Sequence, residues 1–404
     1  MSPRPRSPAS SPSLPPATIP PMITREQIEQ RERATLRPYA LFSGDSRGRR
    51  HEEPVDPYRP AYQRDRDRVI HCTAFRRLEY KTQVFVYHEG DYYRTRLTHS
   101  IEVSQIARSV ASALGLNEAF VEALSLAHDL GHPPFGHAGG EVLHGRMDGH
   151  GGFEHNVQGL RIVDTLERRY PAFPGLNLSF ELREAILKHG PTGPDAETEE
   201  FSPPRPPALE TQLVDIADST AYNHHDLDDG IRSGLLDFEH LCRHVALVGA
   251  SRENAEREFP GLTGRGLVFR TIDAVVKGSI RDLVESSHRR IAAAAPATAD
   301  DARGAGGLIG FSERMAAQQD ELQDYLFDNF YRHYRVVRMM DKAKRLLGSL
   351  FDAYVARPEL LPPEFQRLAD RHGVHRTVCD YIAGMTDRFA EMDYRKLFDP
   401  SERV

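Results

Sequence analysis

Apolar positions fall on helical stripes along most of the chain. In LTHSIEVSQIARSVASALG, Leu97, Ile101, Ser104 and Ala111 mark one stripe, Ile106, Val110, Ala113 and Leu114 widen it, and Gly115 is placed to cap the C-terminus. The same 3.6-residue pattern recurs over 118–130, 154–169, 180–189, 208–225, 269–294, 311–356, 363–370 and 375–390. Strand signals are scarce: VFVY at 84–87, followed by HEGD, is the best hairpin candidate. The pattern predicts a mainly α fold, a helical bundle with additional C-terminal helices and at most a short β-hairpin.

The stripes are interrupted in three places. The first 21 residues hold eight of the 28 prolines, which predicts a disordered Pro/Ser-rich tail over 1–24. PTGPDAETEEFSPPRPP (191–207) reads as an exposed loop, and AAAAPATADDARGAGG (292–307) as a flexible stretch. The expected organisation is the tail, a main domain over 25–290 and a helical region over 291–404 packed on it. The proline-rich start contains neither an apolar export core nor an amphipathic presequence, and no run is long enough to cross a bilayer. Three cysteines (Cys72, Cys242, Cys379) without CxxC spacing argue against a disulfide framework and a thiolate zinc site, and a cytoplasmic location is expected. With 52 basic and 59 acidic side chains the net charge is −7, which excludes generic nucleic-acid coating.

Histidine changes the picture. Of 19 in 404 residues, seven (His99, His128, His132, His137, His144, His150, His155) fall between 99 and 155, where an even spread would place about three. His128 and Asp129 are adjacent at the end of an apolar helical run. Neighbours on a helix point about 100° apart, so both serve one ion only if other elements complete the shell. His99 on the preceding helix is one such donor. In LETQLVDIADSTAYNHHDLDD, Asp215 and Asp218 are both available, and Asp218, Tyr222 and Asp226 share a face. Two imidazoles and two carboxylates suit a divalent cation of borderline character, Mn²⁺, Fe²⁺, Co²⁺, Ni²⁺ or Zn²⁺, and Mg²⁺ less readily.

The order H…HD…D resembles the HD superfamily of metal-dependent phosphohydrolases. Longer words sharpen the likeness: SRGRRHEEP, QRDRDRVIHCTAFRRLEYKTQVFV, GDYYRTRLTHSIEVSQIAR, AHDLGHPPFGHAGGE, GGFEHNVQGLRIV, AYNHHDLDDG and CDYIAGMTDRF together resemble the bacterial deoxyguanosinetriphosphate triphosphohydrolase family, in its dGTPase-like branch. The resemblance runs from about residue 25 to 400 and implies an HD-domain helical bundle over 25–290. It implies His99, His128, Asp129 and Asp218 as metal ligands, with Mn²⁺ or Mg²⁺ as the expected ion, and Asp218 rather than Asp215 because the family's ligand precedes a tyrosine by four residues. It places Gln83, Tyr222 and Asp226 at the sugar of a dNTP. The implied reaction is attack at the α-phosphorus, yielding a deoxynucleoside and tripolyphosphate.

A substrate with about four negative charges needs cations. Arg76, Arg77, Lys81, Arg94 and Arg96 precede His99, and Arg96 is the best single phosphate contact. The prolines and glycines of GHPPFGH argue against a regular helix and put His132 and His137 on a rigid turn, as acids for the leaving 5′-oxygen. His155 is a further phosphate donor; His144 and His150 read as surface residues. The resemblance implies a carboxylate three residues after His137. That position is Gly140, and the carboxylate stands one place later as Glu141. RDRDR (64–68) and MMDKAKRLL (339–347) are candidate surfaces for an allosteric nucleotide or single-stranded DNA, although alternating charge favours a solvated helix face. Phe327, Phe330, Tyr331 and Tyr334 read as core or a subunit seam, and the family implies a homo-oligomer. The competing functions are an HD-type 5′-nucleotidase or phosphodiesterase, and a nucleotide-sensing or single-stranded-DNA-binding protein with vestigial hydrolysis.

Overall fold

A computed structural model describes residues 22–83, 94–187 and 198–403. Among them are eighteen helices, no strand and three isolated bridges. The expected hairpin at 84–87 and most of the expected tail lie outside the described residues. The first helices are α1 (Arg25–Thr35), α2 (Ala61–Ile70), α3 (Thr73–Arg77), α4 (Arg96–Leu114), α5 (Glu118–Ala127) and α6 (Gly136–Arg146). They are followed by α7 (His155–Arg161), α8 (Phe180–Leu187), α9 (Leu209–Arg232), α10 (Phe238–His244), α11 (Ala246–Glu258) and α12 (Gly264–Ala294). The chain ends with α13 (Ala299–Ala305), α14 (Glu313–Leu326), α15 (Tyr334–Ala356), α16 (Pro363–His372), α17 (Val374–Ala383) and α18 (Asp387–Phe398). None of these helices is long and apolar enough to cross a membrane.

Local signals account for the helices that carry the site. Thr95 caps α4 in a capping box with Thr98, and Gly115 closes it in the left-handed region at φ 71°. Asn117 then caps α5 by accepting from the Ala119 and Phe120 amides. The buried stripes of α4, α5 and α9, among them Val103, Val110, Val121, Leu124, Leu213 and Ala217, form the first core. Phe135 and Leu143 meet Leu347, Phe351 and Ile382 in a second, and Leu227, Val275 and Phe330 belong to a third.

The C-terminal helices are tied to the rest through buried groups. Arg161 on α7 makes a two-pronged ion pair with Asp380 on α17, at 3.0 and 2.6 Å, both side chains fully packed. Ala302, Leu308 and Ile309 join the first core, and the boundary expected near 290 falls inside α12.

Four expectations need correction. GHPPFGH is only partly a turn, because α6 begins at Gly136 and His137 stands in its first helical turn; the prolines all precede that start. The flexible stretch 292–307 contains α13, capped by Thr298. The stripe at 375–390 divides into α17 and α18 at Gly384. RDRDR is not a solvated face: Asp65 and Arg68 are buried, Asp65 pairing with Arg49 at 2.6 Å and Arg68 with Glu53 at 2.8 Å.

Candidate active site

Three helices bring the metal donors together. His99, on the first turn of α4, is buried, and its Nε2 lies 2.9 Å from Asp218 Oδ1 on α9. His128 follows the last residue of α5, and its Nε2 lies 3.5 Å from the same oxygen. Donor atoms of His99, His128 and Asp218 all lie within 4.8 Å of one another. Asp129 stands beside them, its Oδ1 3.4 Å from His128 Nε2. Asp215 is not in this group. Burial alone would raise the two carboxyls, but Arg96, His128 and His132 hold Asp129, and His128 and His99 hold Asp218, well below the usual carboxylate range. Two ring nitrogens facing two ionised carboxylates fit a divalent cation.

His132 and His155 lie beside this group. His132 Nδ1 is 2.9 Å from Asp129 Oδ1, and its ring centroid is 4.3 Å from that of His155, the first residue of α7. The contact depends on Gly131, where an added Cβ would stand 1.9 Å from the His155 carbonyl oxygen. Phe135 and Gly136 are consecutive left-handed residues, at φ 60° and 56°, which is strained for phenylalanine. The turn is held from the C-terminal region: Asp387 on α18 accepts from the Phe135 amide at 2.9 Å and from the Thr82 amide and hydroxyl. Burial, together with Arg96, pushes the His132 pKa well below 6.5; His137 is more open to solvent and moves in the same direction for the same reasons.

Tyr222, one turn after Asp218 on α9, has its ring 6.3 Å from His99 and 6.5 Å from His137. Tyr331 stacks on it at 6.3 Å and hydrogen-bonds Asp226. Burial and the neighbouring Asp229 raise Asp226 well above the usual range, which favours its neutral form. The sequence pattern reads Tyr331 as core or a subunit seam; Phe327–Tyr331 is instead a π-helical turn, which breaks the stripe and separates buried Phe330 from exposed Phe327 and Tyr334. Gln83 is buried with no hydrogen-bond partner for Oε1 among the described residues. Its carbonyl and the Arg96 guanidinium flank Gly136.

The chain is 51% identical over 389 residues to the deoxyguanosinetriphosphate triphosphohydrolase-like protein of Geobacter sulfurreducens, an alignment covering 95% of this chain and all of the relative. Proteins of the same name from Ralstonia nicotianae and Bordetella pertussis are 52% identical over 367 residues and 50% over 377, each alignment covering 90% of this chain and at least 94% of the relative. Residues 96–223 match the HD domain and 309–396 the phosphohydrolase-associated domain. The chain belongs to the deoxyguanosinetriphosphate triphosphohydrolase-like family. It is thus an HD-domain phosphohydrolase by family, and the associated domain of that family supplies both Tyr331 and Asp387 here.

Two expectations meet a different arrangement. The five cations before His99 do not form an open patch: Arg96 is buried against Asp129 at 3.0 Å, and Lys81 Nζ donates to the His132 and Ala383 carbonyls at 2.6 and 2.9 Å. Arg94 pairs with Asp228 at 2.7 Å, Arg77 bonds the Gly384 carbonyl, and Arg76 is exposed. Glu141, although one turn after His137 on α6, is exposed and ion-pairs with Lys344 of α15.

Proposed function

We propose that the protein is a metal-dependent dNTP triphosphohydrolase, cleaving dGTP or another dNTP to a deoxynucleoside and tripolyphosphate. The observation that carries this reading is the convergence of His99, His128 and Asp218 on one point, with Asp129 beside it. A divalent ion held by these four residues supplies Lewis acidity toward a phosphoryl oxygen and lowers the pKa of water. Arg96 keeps Asp129 ionised and adds positive charge beneath the phosphate end. His132 and His155 hydrogen-bond phosphate oxygens from the turn and from α7. His137 is neutral in the free protein; a bound polyanion raises its pKa, so it takes up a proton and delivers it to the leaving 5′-oxygen. Tyr222 packs on the deoxyribose, while Gln83 and the neutral Asp226 hydrogen-bond its 3′-hydroxyl. The names of the relatives from Geobacter sulfurreducens and Ralstonia nicotianae support the same substrate class.

A second reading, a nucleotide sensor with slow turnover, has one observation behind it: Glu141 is engaged by Lys344, and Gly140 offers no carboxylate to His137. Product analysis separates the readings. Purified protein is incubated with each dNTP and Mn²⁺ or Mg²⁺, with Asp218→Asn as the control. Tripolyphosphate and deoxynucleoside are the expected products. Pyrophosphate or orthophosphate as first product would overturn the proposal in favour of another HD-type phosphohydrolase, and nucleotide binding without any product would favour the sensor.

A further inference from the structure

A second histidine stands directly behind His99. His225 lies seven residues after Asp218 on α9, and seven residues return a helix to nearly the same face. His99 turns Nε2 toward Asp218, at 2.9 Å, while its other ring nitrogen, Nδ1, lies 3.3 Å from His225 Nδ1. The far nitrogen of His225, Nε2, hydrogen-bonds the carboxylate of Glu102, one turn after His99 on α4. Glu102 is anchored in turn by Arg94, 3.3 Å away, which Asp228 and Asp229 hold at 2.7 and 3.3 Å. Burial would raise the Glu102 carboxyl, but its bond with His225 and the nearby Arg94 hold it down at about 2.

The donor and acceptor roles along this chain follow from its outer end. A carboxylate only accepts, so His225 Nε2 carries the hydrogen. A neutral imidazole has one protonated nitrogen, so His225 Nδ1 is bare and accepts. The facing His99 Nδ1 must then donate, which leaves the His99 Nε2 lone pair pointing at the cluster with His128 and Asp218. We infer that Glu102 and His225 are positioning residues that fix the tautomer and ring orientation of His99 so that Nε2 is presented as a metal donor. The arrangement is a carboxylate–histidine–metal triad lengthened by one imidazole. The inference rests on the reading of His99 as a ligand.

The test is Mn²⁺ binding to the chelator-stripped full-length protein by calorimetry, with the Co²⁺ absorption spectrum as a report on ligand geometry and thermal melts as a check on folding. His225→Leu removes the acceptor and is expected to weaken Mn²⁺ binding about 10- to 100-fold and to shift the Co²⁺ bands. His225→Asn, whose carboxamide oxygen stands close to the lost Nδ1, is expected to restore affinity to within about threefold of wild type. Glu102→Ala, on a partly exposed side chain, leaves the core untouched and is expected to weaken binding by about three- to tenfold. No Mn²⁺ binding by wild type, or binding that His99→Ala leaves unaltered, would remove the metal-centre reading itself. Wild-type binding that His225→Leu and Glu102→Ala both reproduce would overturn the relay alone, as would equal losses in His225→Leu and His225→Asn.

Discussion

Asp218 and Asp226 stand eight residues apart on α9, about 12 Å along one helix face, and their surroundings drive them in opposite directions. Asp218 looks toward His99 and His128 and is held ionised. Asp226 is buried beside Tyr331 and Asp229, and that burial pushes its carboxyl toward the neutral form. One helix thus presents a carboxylate beside the metal donors and, two turns on, a carboxyl whose surroundings favour the hydrogen-bonding acid form. The difference suits a substrate with a polyanionic end and a sugar end, since a neutral acid can donate to a hydroxyl without adding repulsion.

Replacing each carboxylate by its amide breaks the comparison at one end only. Asp218→Asn is expected to abolish metal binding and to lower dNTP hydrolysis on the order of a thousandfold or more, several kcal/mol of transition-state stabilisation. Asp226→Asn, which imitates a neutral acid, is expected to keep metal affinity and to change kcat/KM by less than about tenfold. Calorimetry and a product assay check both. Asp218 is the better control than Asp129, because Asp129→Ala would strand the buried Arg96 at a cost of about 3–5 kcal/mol in stability.

At the phosphate end, Gly140→Glu restores a carboxylate three residues after His137 where an added Cβ meets nothing within 4 Å. Turnover is expected to rise on the order of ten- to a hundredfold, measured as kcat at saturating dNTP; an unchanged kcat would show that His137 works without such a partner. At the sugar end, Tyr331→Phe leaves Asp226 without its hydroxyl partner and is expected to raise KM about tenfold, with kcat and Mn²⁺ affinity little changed.

The effect furthest from the chemistry is on acid stability. His224 is buried on α9 with no hydrogen-bond partner for either ring nitrogen among the described residues, and burial, with His225 nearby, lowers its pKa from 6.5 to about 3. Below about pH 6.5 the unfolded chain takes up this proton and the folded protein does not, so the unfolded state binds more protons and stability falls as pH drops toward about 3. His224→Phe is expected to remove up to about 1.4 kcal/mol per pH unit from that slope in urea titrations.

Much of this was legible in the chain. The apolar stripes mark α4 and α5 and Gly115 marks the end of α4, because those signals are local. The HD pair and the i, i+4 spacing of Asp218, Tyr222 and Asp226 point to one site for the same reason. What the sequence hid is set by partners far along the chain. The pairing of Arg96 with Asp129 joins residues thirty-three positions apart, so no local pattern shows it. The start of α6 at Gly136 depends on two left-handed residues and on Asp387, which no local propensity reveals. Tyr331 reaches the site through a π-helical turn that the 3.6-residue stripe cannot register.

The most direct test of the account is hydrolysis of dGTP with Mn²⁺ in ¹⁸O-labelled water, followed by ³¹P NMR. Attack at the α-phosphorus, with the 5′-oxygen leaving toward the sugar end, is expected to place the label on a terminal phosphorus of tripolyphosphate and none in the deoxynucleoside, with Asp218→Asn inactive. Label in pyrophosphate or orthophosphate as the first product, or undiminished hydrolysis by Asp218→Asn, would contradict it.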